Sequence, residues 1–484
     1  MARDRFLQIE VEPSTLKSRA KYLDRRGFGL FSISILAALS IEWILGRYFN
    51  INIIVLATYI LYLWVLFVRD RKFVLEFFWV VTMSTLNIIG AFCCDEGLFL
   101  VELEYSSWYA NVVAPLVFLY VLFFTAIELY RLAREDSDSS DGSDKASSHV
   151  PQLVLLIGVA VAMYLFFQVV RNPYFVAGTL RLDYASQYMS SFSVSLRTYL
   201  PMFIPIAVME FRQGRRFLPV VFFATVAAFY FLEGDKFGVY FFAIYIVALT
   251  LLPSVTEKTI DKVIVVLVVF FWLLIGVVYV QRVLLFDNSF SEFVEVISQR
   301  LAQQGEVWWS VYRQMKDGIL LLGDPSSEIE AILNPGSQAL YDFGQWKMMN
   351  VACGYSEYSA YRIAAGNPFT ATTTASLFYY FGFFGTVAFY AVSGYLYAAV
   401  IRNASLSFGD QRIIEPMIYV KLISVFGNVL FASDLTYLLS IQGATYLFAL
   451  AALTINREIR QERERNNGPR ARKLIIWEAI GRKR

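Results

Sequence analysis

Apolar runs of about 17–25 residues recur along the whole 484-residue chain. A run of that length is what a helix needs to cross a hydrocarbon core of ~30 Å. About twelve are read, at roughly 28–47, 51–68, 73–93, 108–128, 151–170, 197–211, 217–232, 237–252, 260–281, 376–401, 412–433 and 435–455. The sixth to eighth are the shortest. With 57% hydrophobic and 17% charged residues, the chain lies well outside the soluble range of about 45–50% apolar and about 25% charged. Backbone groups in lipid must be satisfied within their own segment, so all-α, polytopic membrane architecture is the expectation.

Lys and Arg set the orientation, because they stay on the cytoplasmic side. Placing the N-terminus inside puts thirty on the inner segments and eleven on the outer ones, with Lys421 alone inside a helix. Both termini are therefore expected in the cytoplasm. The long polar segment 282–375, between the ninth and tenth helices, is then expected outside. The basic residues are spent on topology and give no sign of a nucleic-acid partner. The first 27 residues are polar and the first apolar run is of full membrane length, so no cleavable leader is expected.

Six regions follow: a four-helix segment 1–132, an acidic Ser-rich linker 133–150, helices five to nine over 151–281, the loop 282–375, helices ten to twelve over 376–455, and a basic tail 456–484. The linker composition predicts disorder. The tail stretch RARKLIIWEAIGRKR suits a helix on an anionic membrane surface, and serves equally as a topology anchor. Within the loop, Phe293, Val296, Ile297, Leu301, Val307, Trp308, Val311 and Tyr312 recur every three or four residues, which predicts an amphipathic helix over 291–316 along the interface. Residues 323–370 are rich in turn formers and predict irregular backbone.

Candidate chemistry is narrowed by what is missing. The one histidine, His149, lies in the linker, so an outer-face mechanism with a His base or His metal ligand is excluded. No P-loop, dinucleotide turn or metal-ligand spacing occurs, and no cofactor is implied. Cys93, Cys94 and Cys353 fall on the outer side and either stay free or bridge between the loop and the 93–94 pair. What remains outside is a set of cations near helix ends: Arg181, Arg197, Lys236, Arg282 and Arg300, with Arg313 further along. Unpaired guanidinium groups at a membrane boundary call for an anionic partner, and a pyrophosphate needs several donors at once. Each of these cations also suits snorkelling toward headgroups. Asp183, Glu233, Asp235 and Glu306 are the nearby carboxylates, serving as a general base or simply as ion-pair partners. Trp308 and Trp309 can stack on sugar rings or belong to an aromatic belt. Lys421 has no assigned role.

These residues resemble the Wzy-type oligosaccharide repeat-unit polymerases, the family of the O-antigen and enterobacterial common antigen polymerases. The resemblance covers roughly 150–455. It rests on RLDYASQYMSS, on FYFLEGDKFG, on VYVQRVLLFDNSF, on the R-x5-E-x-W-W run at 300–309, and on TATTTASLFYYFGFFGTVAFY, in that order and on one side of the membrane. It implies a GT-C-like, metal-independent glycosyltransferase of a bacterial inner membrane, active on the periplasmic face. Its substrates would be undecaprenyl-pyrophosphate-linked oligosaccharides, its surroundings membrane lipids, and a chain-length regulator protein is the further partner to look for. Arg181, Lys236, Arg282 and Arg300 match the basic residues that hold the donor pyrophosphate. Arg300, Arg282 and Glu306 are the candidate catalytic residues, with Glu306 as the base. Arg181, Lys236, Arg197, Trp308 and Trp309 are the candidate substrate-binding residues.

The related O-antigen ligases carry a loop His that this chain lacks, which favours polymerase over ligase. A flippase or exporter of lipid-linked oligosaccharide fits the helix number, but it calls for cations along mid-helix and for symmetric halves. A lipid-monophosphate-dependent GT-C enzyme calls for acids in the first outer loop, and residues 47–51 have none.

Overall fold

The apolar stretches fold into helices in a computed structural model. It describes residues 13–134, 150–177, 184, 187–234, 238–254, 257–280, 289–334, 339, 342–354, 356–364, 369, 373–409, 413–431, 444–445, 448–456, 458–459 and 462, with side chains in the first helix from Gly27 onward. The N-terminal unit is α1 (Pro13–Leu45), α2 (Asn52–Arg69), the short α3 (Arg71–Glu76), α4 (Phe78–Asp95) and α5 (Val113–Arg134). A two-stranded hairpin, β1 (Phe99–Leu100) with β2 (Tyr105–Ser106), caps the link from α4 to α5. Next come α6 (Val150–Val169), α7 (Ser191–Arg197), α8 (Ile204–Arg212), α9 (Phe217–Glu233), α10 (Gly238–Leu251) and α11 (Glu257–Tyr279).

Among the described residues nine helices are long and apolar enough to cross a membrane, and α9 and α10 are shorter apolar helices. The molecule is an all-α polytopic membrane protein. These eleven coincide with the first eleven apolar stretches; of the twelfth, 448–456 is helical and most of 432–447 lies outside the described residues. The acidic linker from 135 to 149 and the tail beyond 462 lie outside them as well.

The ends of α2, α4 and α5 sort into two groups. At one end Arg131 bonds Asp70 at 2.6 Å, Glu76 at 3.1 Å and Glu128 at 2.9 Å, and Arg69 reaches Glu128 at 3.2 Å. Arg71 pairs with Asp261 of α11 at 2.8 Å, and the Tyr245 hydroxyl of α10 donates to the Glu76 carbonyl. Residues of the segments 69–72, 129–150 and 253–262, all of which charge counting assigns to the inner side, thus meet. At the other end Asp95 accepts from the Ala110 and Val112 amides at 2.8 and 3.0 Å, and Asn52 approaches it from α2. The loop-bearing end is built on this second group.

Over the long polar segment the sequence spacing predicts one amphipathic helix. The chain forms two, α12 (Phe290–Ala302) and α13 (Glu306–Lys316). The break has a steric cause. A Cβ on Gly305 would lie 2.1 Å from the Ala91 nitrogen and one on Gly90 2.5 Å from the Leu301 carbonyl, so the joint seats backbone against backbone on α4. Ser289 and Glu292 form a reciprocal capping box that starts α12. The turn-rich remainder holds three short helices, α14 (Ser326–Leu333), α15 (Gly344–Cys353) and α16 (Glu357–Ala364).

The last two described long helices are α17 (Thr373–Gly409) and α18 (Ile414–Phe431). The tenth apolar stretch reads as one straight helix, but α17 reverses direction. Thr374 and Tyr390 are sixteen residues apart and their hydroxyls are hydrogen-bonded. A straight helix would hold them about 24 Å apart at 1.5 Å per residue. Gly382 makes the turn at φ 62°, ψ −168°, a region open essentially to glycine alone. The first arm packs Phe378 against Trp308 and Tyr312, while the second arm runs along α5 past Tyr120 and Phe123.

Candidate functional site

At the loop-bearing end the hairpin, α13, α15 and α16 form a platform over α4. Ser310 of α13 donates to the Ala352 carbonyl at 2.8 Å and meets the Tyr105 hydroxyl at 3.3 Å; Gln314 donates to the Val351 carbonyl at 3.2 Å. Trp43 of α1 donates to the Tyr312 hydroxyl at 2.7 Å. Arg313 lies over the rings of Trp108, Trp309 and Tyr105, at 4.5, 5.1 and 5.7 Å from their centroids. This is a rigid support of the kind that positions functional groups.

Glu306 opens α13 and is 1% exposed; Glu102, at the hairpin tip, is 3% exposed. The Oε1 of Glu306 and the Oε2 of Glu102 are buried and find no donor among the described residues. Glu102 also pairs with Arg362 of α16 at 3.1 Å. Burial is the largest cause that pushes the Glu306 carboxyl well above the ordinary carboxylate range; its hydrogen bond to Glu102 and repulsion by it add, against the pull of Arg362 and Arg300. Burial and the neighbouring Glu102 thus both work against the ionised form of Glu306. Cys353 donates from its thiol to the Glu102 carbonyl at 3.6 Å, and burial, then Glu306 and Glu102, push that thiol up to about 12. A thiolate nucleophile is therefore absent there at neutral pH. Cys93, Cys94 and Cys353 are all free.

Arg300 is different. It is exposed at the end of α12, its Nη1 donates to the Gln303 side chain at 2.9 Å, and no carboxylate among the described residues lies within ion-pair distance. Its guanidinium fork is open to a ligand.

The remaining candidates separate. Trp308 and Trp309 are 1% and 0% exposed, and their indole N–H groups donate to the Val112 and Trp108 carbonyls. Their rings are part of the packed support of α13, not an open platform. Arg197, at the end of α7, pairs with Glu233 of α9 at 2.6 Å. Lys421 of α18 reaches the Thr198 carbonyl at 3.4 Å and hydroxyl at 3.3 Å, with the Tyr199 ring 4.9 Å away, at the break after α7. Arg181, Asp183, Asp235, Lys236 and Arg282 lie outside the described residues.

Two members of the site escape the sequence reading, Glu102 and Arg362. For Glu102 the signal was a concentration of acids, Asp95 at the end of α4 and Glu96, Glu102 and Glu104 in the link to α5, on the same side as the cations of the long loop. Among the described residues no group of three or more His, Cys, Asp or Glu forms a metal nest. No protein family matches the chain, and no curated protein and no solved structure matches it either.

Proposed function

We propose that this protein polymerises undecaprenyl-pyrophosphate-linked oligosaccharide repeat units on the periplasmic face of a bacterial inner membrane. The observation that carries the reading is Arg300, an exposed guanidinium at the end of α12, on the loop-bearing end of the bundle, with no carboxylate among the described residues within ion-pair distance. An open cation at a membrane boundary calls for an anionic partner, and the R-x5-E-x-W-W run that holds it is one of the five elements on which the resemblance to the polymerases rests.

In this reaction a hydroxyl oxygen of the new lipid-linked unit forms a bond to the anomeric carbon of the growing glycan. The bond from that carbon to the pyrophosphate oxygen breaks, and the pyrophosphate leaves with the electron pair on its carrier lipid. Arg300 neutralises charge building on the leaving group, while Arg181, Lys236 and Arg282 fill the same role in the family pattern. Burial works against an ionised Glu306, so in this reading the acceptor proton leaves with the departing pyrophosphate, whose terminal oxygen takes it. Trp308 and Trp309 act by holding α13 in place. No metal is required for this chemistry.

A flippase would need cations along the middle of several helices. Among the described residues Lys421 is the one mid-helix lysine of this kind, and it is engaged by Thr198. The deciding experiment supplies purified protein in nanodiscs with lipid-linked repeat unit alone. A glycan ladder on a gel, surviving EDTA, supports the polymerase; absence of a ladder with transfer of the unit across vesicle bilayers would replace it with the flippase.

A further inference from the structure

We propose that Glu306 and Glu102 share a single proton, and that this proton latches the long polar segment onto the β1–β2 hairpin of the N-terminal unit. The inference does not depend on the polymerase reading. It stands on the pair of enclosed oxygens, Glu306 Oε1 and Glu102 Oε2, which come from segments 204 residues apart and have no donor among the described residues. Two ionised carboxylates enclosed together would repel, with Arg362, already bonded to Glu102, as the nearest engaged cation for both. One proton between them turns that repulsion into a charge-assisted O–H···O⁻ bond, and leaves one net charge for Arg362 to balance at 3.1 Å.

The groups facing the pair come from every element packed on it. Cys94 lies on α4, Tyr105 on the hairpin, Arg300 on α12, Cys353 on α15 and Arg362 on α16; one step further out, Glu104 acts on Cys353 and Arg313 on Tyr105. The two cations named against Glu306 are Arg362 and Arg300. Arg362 is already engaged by Glu102, and Arg300 points to solvent and bonds Gln303. Arg362 also lies 5.3 Å over the Phe369 ring, just before α17. The latch therefore joins four parts: α13, the hairpin, α16 and the entry to α17.

Burial raises the folded-state value of Glu306 above that of a free glutamate. Its stabilising contribution is then fully present below about 4.3 and is lost as pH rises through the folded value. Between those limits, loss of one proton per opening makes the open form up to about tenfold more populated per pH unit. Acidification closes the platform and alkalinisation loosens it.

The test uses the full-length protein in nanodiscs. Infrared difference spectra at neutral pH, wild type minus Glu306→Gln, should contain a protonated-carboxyl stretch that disappears as pH is raised. In Glu102→Gln the same stretch should vanish at a lower pH, because the repelling carboxylate is gone. Should the variants fold poorly, hydrogen exchange on the wild type alone decides. After correction for intrinsic rates, protection of 306–316 and 344–353 should fall with rising pH by up to about tenfold per unit. A difference spectrum with no protonated-carboxyl band, or protection in these helices that does not vary with pH, would overturn the proposal.

Discussion

The two ends of the bundle handle buried charge in opposite ways. At one end Arg131 answers three carboxylates, Asp70, Glu76 and Glu128, and Arg69 adds a second bond to Glu128. At the other, two carboxyls crowd each other with one arginine between them, and a second arginine, Arg300, stands open. A charge network that closes on itself is structural cement. One that leaves a cation exposed and a proton shared has groups to spare for a ligand or a signal.

The largest effect should come from opening the closed network. Arg131→Met leaves Glu128 buried without its main partner, and removal of one member of a buried pair costs about 3–5 kcal/mol. Thermal or denaturant unfolding in detergent, followed by tryptophan fluorescence, measures it. Gly382→Ala comes next. Its backbone conformation is barred to residues with a Cβ, so the change should cost about 1–3 kcal/mol and disturb the contact between Thr374 and Tyr390. Arg362→Met should cost about 1–3 kcal/mol at neutral pH, less than Arg131→Met. The loss should shrink on acidification, because the crowded carboxyls can then both be neutral, and unfolding curves at two pH values read this directly. Arg300→Ala should be the mildest for stability, within about 0.5 kcal/mol, since the side chain is exposed and its one hydrogen bond is local.

How much of this was legible in the sequence differs between the two ends. The closed end could be anticipated in outline: the Lys and Arg count assigns 69–72 and 129–150 to one side, and apolar length gives the helices around them. The loop platform could not. Glu102 and Glu306 are distant in sequence and each looks like an ordinary loop acid, so only the folded chain shows that they meet. The interruption at Gly305 was hidden because Phe293 to Tyr312 keeps helical spacing across it. Gly305 gives no local sign that it must touch Gly90. Gly382 was hidden likewise, since glycine is common in membrane helices and its neighbours are continuously apolar. The aromatic pair Trp308 and Trp309 was legible as important, yet spacing alone does not distinguish an exposed stacking face from a buried one.

The comparison turns on whether the open cation does chemistry or merely sits at a boundary. The most direct measurement places purified Arg300→Ala beside wild type in nanodiscs, with melting and glycan-ladder formation from lipid-linked repeat unit read on the same samples. The account predicts unchanged melting and a polymerisation rate lower by a factor on the order of 10²–10³, the loss expected when one charge-stabilising donor is removed. Unchanged melting together with an unchanged ladder would contradict it and leave Arg300 as a surface residue.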